Sequence, residues 1–163
     1  MKKFLSCAAV VCLLVVLVVC GKAGTSVEDE KQRVANDLFT VVFSEDLELA
    51  ESFLQIGDSE ESLKQWESDY FGAYLTEEGL DSATRSRILS EGINLGRSGI
   101  SIESYDFSMI NRNQSDDNWY DYVVTLKTSE SPDGEMRFLG SVHFVEQNNK
   151  WLIDDVTRFK TTH

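Results

Sequence analysis

The amino-acid sequence predicts an α+β domain in which helices come first and pack on a curved, cone-like four-stranded antiparallel sheet. Three observations carry that prediction. Apolar residues recur every three or four positions from Val34 to about Leu89, they alternate from about Ile100 onward, and Gly92, Gly96 and Gly99 stand where the period changes. Helices followed by strands, rather than alternating with them, segregate into an α+β arrangement.

The first helix is read over Val34 to Phe43, with Val34, Leu38, Val41 and Val42 at helical spacing. Ser44 is placed to cap a second helix carrying Leu47, Ala50, Phe53 and Leu54, which Gly57 ends. Asp58 and Glu61 have capping-box spacing for a third, in which Leu63, Trp66, Tyr70 and Tyr74 form a stripe suited to packing on a sheet. A short fourth piece is expected near Ser82 to Leu89. The stretch "GINLGRSG" lacks the spacing of a phosphate loop, and its glycines read as the end of the last helix and the turn into the sheet.

Strands are expected at about 100–111, 118–128, 135–147 and 150–159. "SPDG" fits a three-residue hairpin loop with Gly134 left-handed, and Asn148 with Asn149 a two-residue turn. Those turns would set Val124 against Val142, Tyr122 against Phe144, His143 against Asp154 and Val142 against Asp155. One face then gathers Tyr120, Tyr122, Val124, Leu126, Phe138, Val142, Phe144, Trp151, Ile153, Phe159 and Asp155, and packs under the helices. Asp154 would face out beside His143. An inward carboxylate must be hydrogen-bonded or neutralised, so Asp155, with Tyr120 or Tyr122 as partner, is the candidate pocket residue.

The chain starts with Met1, Lys2 and Lys3 and carries no charge from Phe4 to Val19, the pattern of a secretory signal rather than of a full membrane span. Its three cysteines are Cys7, Cys12 and Cys20, none of them in the folded part. A disulfide framework, a cysteine nucleophile and a thiolate zinc site are therefore excluded there. With 28 acids against 15 basic residues the formal charge is −13, and removal of Lys2 and Lys3 makes it more negative by two. Such a surface repels nucleic acid and bare anionic lipid. No pattern points to a cofactor or metal: His143 and His163 lie far apart, and no calcium loop is present. His143 beside Asp154 reads as a surface ion pair, because no nucleophile is identifiably in reach.

"LVVCG" at residues 17–21 resembles the lipobox of bacterial lipoproteins. That resemblance implies a signal peptide at 1–19, a lipid on Cys20, a short tether over 20–30 and a domain at 31–163 held on the extracytoplasmic face of a cell membrane, in a bacterium of Gram-positive type. The domain, through its helices ahead of the sheet, its "AESFL" helix and its closing "NNKWLIDDV" strand, resembles the nuclear-transport-factor-two-like superfamily, which includes SnoaL-like proteins and ketosteroid isomerase. Superfamily members use the cone as an enzyme pocket, a partner surface or a filled core, so fold alone does not select function. The expected role is a non-catalytic binding module for an envelope protein, peptide or small hydrophobic ligand. The alternative is an isomerase-like enzyme with Asp155 as base. Lipidation is checked by the intact mass of the membrane form: a diacylated chain beginning at Cys20 is expected, and a chain beginning at Met1 or Thr25 would refute it.

Overall fold

The structure, a computed structural model, describes residues 26–57, 59–111, 116–129 and 135–162. The signal segment, Cys20, Asp58, Asn113, the "SPDG" turn and His163 lie outside the described residues. Helix α1 spans Val27–Val42 and starts earlier than its apolar period suggests, because of its cap. Ser26 Oγ accepts from the Asp29 N–H at 3.1 Å while the Asp29 carboxylate accepts from the Ser26 N–H at 3.2 Å, a reciprocal capping box. Residues 27–30, expected in the tether, are therefore helical.

Helix α2 spans Leu47–Gln55 and is capped by Asp46, which accepts from Glu48 N–H at 2.8 Å and Leu49 N–H at 3.3 Å. Ser44, the expected cap, instead donates to the Val41 carbonyl at the end of α1. Helix α3, Glu60–Phe71, starts from Ser59, and Tyr74 falls beyond its end. Its Trp66 meets Phe53 of α2 at a centroid distance of 5.0 Å and donates to Ser52 Oγ at 3.0 Å. The aromatic stripe thus packs helix on helix, not helix on sheet. Helix α4, Glu77–Ser86, is capped by Thr76 and begins well before Ser82. A fifth helix, α5 (Glu91–Arg97), takes in Gly92 and Gly96, while Gly99, at φ 82°, ends it ahead of the sheet as expected. Gly92 lies inside it because a Cβ there would run into the Val42 carbonyl at the end of α1.

The sheet is a meander of four antiparallel strands, β1 (Ile102–Asn111), β2 (Trp119–Thr128), β3 (Glu135–Gln147) and β4 (Lys150–Thr162), in that spatial order. β1 pairs on one side only and carries an irregularity between Ile102 and Ser104. Asn148 and Asn149 both have positive φ, 53° and 60°, and close the β3–β4 hairpin with Gln147 opposite Lys150, as expected.

Two registers differ from expectation. Tyr122 lies opposite Gly140 rather than Phe144, and Val124 opposite Phe138 rather than Val142. This moves the partner by an even number of residues, so every side chain keeps its face. The tyrosine needs that glycine: a Cβ on Gly140 would lie 2.5 Å from the end of the Tyr122 ring. In the second hairpin Val145–Leu152 and Phe144–Ile153 pair as expected, but a β-bulge follows, and His143 lies opposite Asp155. Val156 therefore takes the inward place opposite Val142 and is fully buried, while Asp155 is only partly buried. The inward position expected for Asp155 belongs to Val156.

The helices cover one face of the sheet. Phe39 of α1 meets Tyr122 at 4.7 Å and Phe107 at 5.3 Å, and Phe43 meets Phe138 at 5.2 Å. Just before α4 the chain runs parallel to β4: the Ile153 N–H donates to the Tyr74 carbonyl and the Thr76 N–H to the Ile153 carbonyl, each at 2.9 Å. Gly79 in the first turn of α4 sits against that same Ile153 carbonyl, where a Cβ would collide with backbone. Gly96 in α5 has nothing within 4 Å of a built Cβ. In denaturant titrations Gly79→Ala should lose roughly 1–3 kcal/mol through overpacking. Gly96→Ala should gain about 0.5–1 kcal/mol from helix propensity alone.

Candidate functional site

The three residues expected around a pocket are engaged separately. Tyr120 is 2% exposed, and its hydroxyl donates to the Glu28 carboxylate of α1, 2.8 and 2.7 Å from the two oxygens. Tyr122 donates to the Thr157 carbonyl at 3.0 Å, and burial holds its phenol well above the ordinary tyrosine range, with Arg158 offsetting part of the shift. Asp155 accepts from Ser82 Oγ of α4. Phe39 packs against Phe107 and Tyr122 between α1 and the sheet.

Around Tyr120 lies a polar cluster that sequence reasoning missed. Lys31 is 3% exposed, and its Nζ donates to Asn118 Oδ1 at 2.8 Å and to Tyr120 Oη at 3.2 Å. The ammonium sits 4.5 Å from the Trp151 ring centroid and 5.2 Å from that of Tyr120. A buried cation is tolerated when donors are satisfied and aromatic faces surround it. The capping box that starts α1 at Val27 places Glu28 and Lys31 one turn apart over Tyr120. With its hydrogen bonds made, the cluster fastens α1 to the sheet.

His143 is tied twice. Nδ1 lies 2.6 Å from Asp154 Oδ1, Nε2 lies 2.8 Å from Asp116 Oδ2, and the ring is tilted against Trp119 at 4.8 Å. Its proximity to Asp154 follows the expected pairing by a different route, because the bulge puts Asp154 beside His143 as an extra residue. Asp116, in the loop ahead of β2, is a partner that strand alternation does not reveal. Its carboxyl is held below the ordinary aspartate range, first by the Asn118 N–H and then by His143. A general base needs a free ring nitrogen. Both nitrogens of His143 face carboxylates, and the residue clasps the entry to β2 onto β4.

Two hollows among the described residues lie on the helical side, and a smaller one of about 370 Å³, lined by Tyr105, Asp106, Thr125, Lys127, Glu135 and Arg137, lies on the sheet. Leu47, Ala50 and Leu54 of α2 face Gly92, Ile93, Gly96 and Arg97 of α5 and Ile100 ahead of β1 across a hollow of about 550 Å³. A second hollow of about 490 Å³ shares Leu54 and Arg97 and continues to Phe53, Ile56 and Leu63. Leu47 is 77% and Leu54 59% exposed, so the groove is an apolar surface open to solvent. At its acidic end Glu45 accepts from Ser101 Oγ and the Ile102 N–H, and those bonds, Ser101 first, hold its carboxyl below the usual range. The signal for the groove was present in α2, which is apolar at 47, 49, 50, 53 and 54, more of its circumference than one core can cover.

None of these hollows is lined by Asp155, Tyr120 or Tyr122. Among the described residues no group of three or more His, Cys, Asp or Glu is placed to hold a metal ion, and no helix is long and apolar enough to cross a membrane. Compared with protein-family models, with curated proteins and with solved structures, the chain finds no match.

One buried acid is strained by its surroundings. Glu67 of α3 is 5% exposed, and burial raises its carboxyl above the ordinary glutamate range, opposed by a hydrogen bond from Thr84. Thr84 Oγ1 lies 2.6 Å from Glu67 Oε1 and 2.8 Å from the Leu80 carbonyl, yet has one proton to give. A protonated Glu67 satisfies both contacts. Because the folded state holds this proton more tightly than the unfolded state, Glu67 costs stability as pH rises from the unfolded value through the folded one. Thermal melts should show Glu67→Gln stabilised at pH 7 by about 1 kcal/mol, the scale of one buried polar imbalance. The difference should vanish below the ordinary glutamate range.

Proposed function

We propose that this chain is a non-catalytic, membrane-tethered binding module on the extracytoplasmic face of a bacterial cell, lipidated at Cys20, with the α2–α5 groove as its ligand site. The observation that carries the reading is the pair of exposed leucines, Leu47 and Leu54, bordering a continuous apolar hollow. A concavity lined mainly by apolar side chains with a few polar groups at its margin is the kind of surface in which another molecule sits.

Geometry gives the tether and the groove separate ends. The 16 residues of α1 span about 24 Å, with the tether entering at Ser26 and the groove beginning at Ser44 beyond the other end. A lipid on Cys20 would leave the groove turned toward the envelope. The resemblance to the nuclear-transport-factor-two-like superfamily belongs to the proposal as a cone whose interior is filled, supported by the helix-first order and the four-stranded meander. The isomerase-like alternative draws no support, since Asp155 meets Ser82 rather than an open cavity.

An uncharged photoactivatable alkyl diazirine tests the reading on the full chain in membranes. After irradiation and digestion, adducts should concentrate in residues 44–57 and 92–102. The double variant Leu47→Glu, Leu54→Glu alters exposed side chains and should keep its melting behaviour while losing at least nine-tenths of that labelling. Adducts spread over the whole surface, or unchanged by the double variant, would overturn the assignment.

A further inference from the structure

The geometry points to a cationic amphipathic helix as the occupant of the groove, one that presents apolar residues over two to three turns with Lys or Arg along their margin. This rests on the groove being the binding site and adds the chemistry of what it binds.

The first support is the order of residues on α2. Leu47, Glu51 and Leu54 stand at i, i+4 and i+7, so they share one face with an exposed carboxylate between two exposed leucines. Glu48 is exposed beside them, and Glu45, Asp46 and Glu60 line the hollows together with Arg97, while Lys64 pairs with Glu60 at 3.1 Å. An apolar stripe with acidic margins complements an apolar stripe with basic margins. The formal charge of −13 extends the same sign over the molecule and speeds encounter with a basic partner.

Shape agrees. From Leu47 to Leu54 the helix rises about 10 Å, which matches two turns of a ligand helix. On the opposite wall the Cβ position of Gly96 is open to 4 Å, so a partner backbone can approach α5 closely. Competing occupants fit less well. An anionic amphiphile would find one guanidinium among several carboxylates, and a second copy of the chain would bring the same acidic margins and repel them.

The probes are fluorescein-labelled 18-residue peptides of helical leucine periodicity, one with lysines and one with glutamates at its polar positions. The full chain is held in nanodiscs of zwitterionic lipid, and the signal from empty discs is subtracted. Anisotropy should show the Leu/Lys peptide binding and the Leu/Glu peptide not. Glu48→Lys with Glu51→Lys should weaken binding about ten-fold, and Arg97→Glu should strengthen it several-fold. Raising salt from 50 to 500 mM should weaken it further, and Leu54→Asp should abolish it despite the added negative charge. Persistence of binding in Leu54→Asp would mean simple attraction between polyions and would overturn the proposal. So would equal binding of both peptides, or displacement by a fatty carboxylate that depends on Arg97. If the uncharged diazirine labels the groove while the Leu/Lys peptide fails to bind, this inference falls and the binding-module reading stands; if neither engages the groove, both fall.

Discussion

The backbone of Ile153 is the point on which both layers of this protein are registered. It pairs with Phe144 inside the sheet, while on its other edge it gives its N–H to Tyr74 and takes the N–H of Thr76. Its N–H and carbonyl point to one side of the strand and are both taken by that segment, so it faces Phe144 as a non-hydrogen-bonded pair, and a slip along residues 74–76 would break both bonds. Gly79 completes the constraint, because only a residue without a Cβ lets α4 come down onto that carbonyl. The bulge at Asp154 is the next residue along, where β4 leaves the line that this triple contact imposes. From it follow the inward turn of Val156, the position of Asp155 at Ser82 and the seat of Asp154 at His143.

That chain of dependence explains what could be read from the sequence. The α+β order was legible because the apolar period changes once, near residue 100, and the Asn148–Asn149 turn because two adjacent asparagines tolerate left-handed backbone. The buried face of β2 and β3 was legible even with the wrong partners, since an even offset preserves alternation. The bulge was not, because its cause is a contact with Leu75 and Gly79, far away in the chain. Helix α5 was hidden because two of the three glycines, Gly92 and Gly96, lie inside it, Gly92 for close packing on the end of α1, and only Gly99 turns the chain. As for the site, the His143–Asp154 pairing was visible in strand alternation. Lys31 and Asp116 were not, because a lysine in a helical run and an aspartate in a loop look like solvated residues until their neighbours are known.

The molecule divides its polar and apolar resources in an unusual direction. The helix-covered face of its sheet is closed by aromatic rings, and the buried Lys31 beside them is satisfied by Asn118 and Tyr120. Its outer helical layer leaves leucines uncovered. α3 contributes to this by taking Trp66 toward Phe53 and Ser52, which uses one side of α2 and leaves the Leu47–Leu54 side bare. The groove is thus the remainder of a helix that has more apolar surface than its neighbours can cover.

The sheet also has unequal borders. β4 is stitched at Ile153 to the segment before α4, whereas β1 has no strand paired on its far side among the described residues. An open ladder is a template on which a second chain can grow, and molecules crowded together on a surface meet such edges often. Here the ladder is broken near Glu103, where the pairing of β1 is irregular, and it carries Glu103 and Asp106 as exposed side chains. Like charges opposed across a would-be joint, on a strand bent at its start, disfavour edge-to-edge growth. The irregularity at the head of β1 thus acts as a safeguard against polymerisation, protecting a fold that contains no disulfide among its described residues.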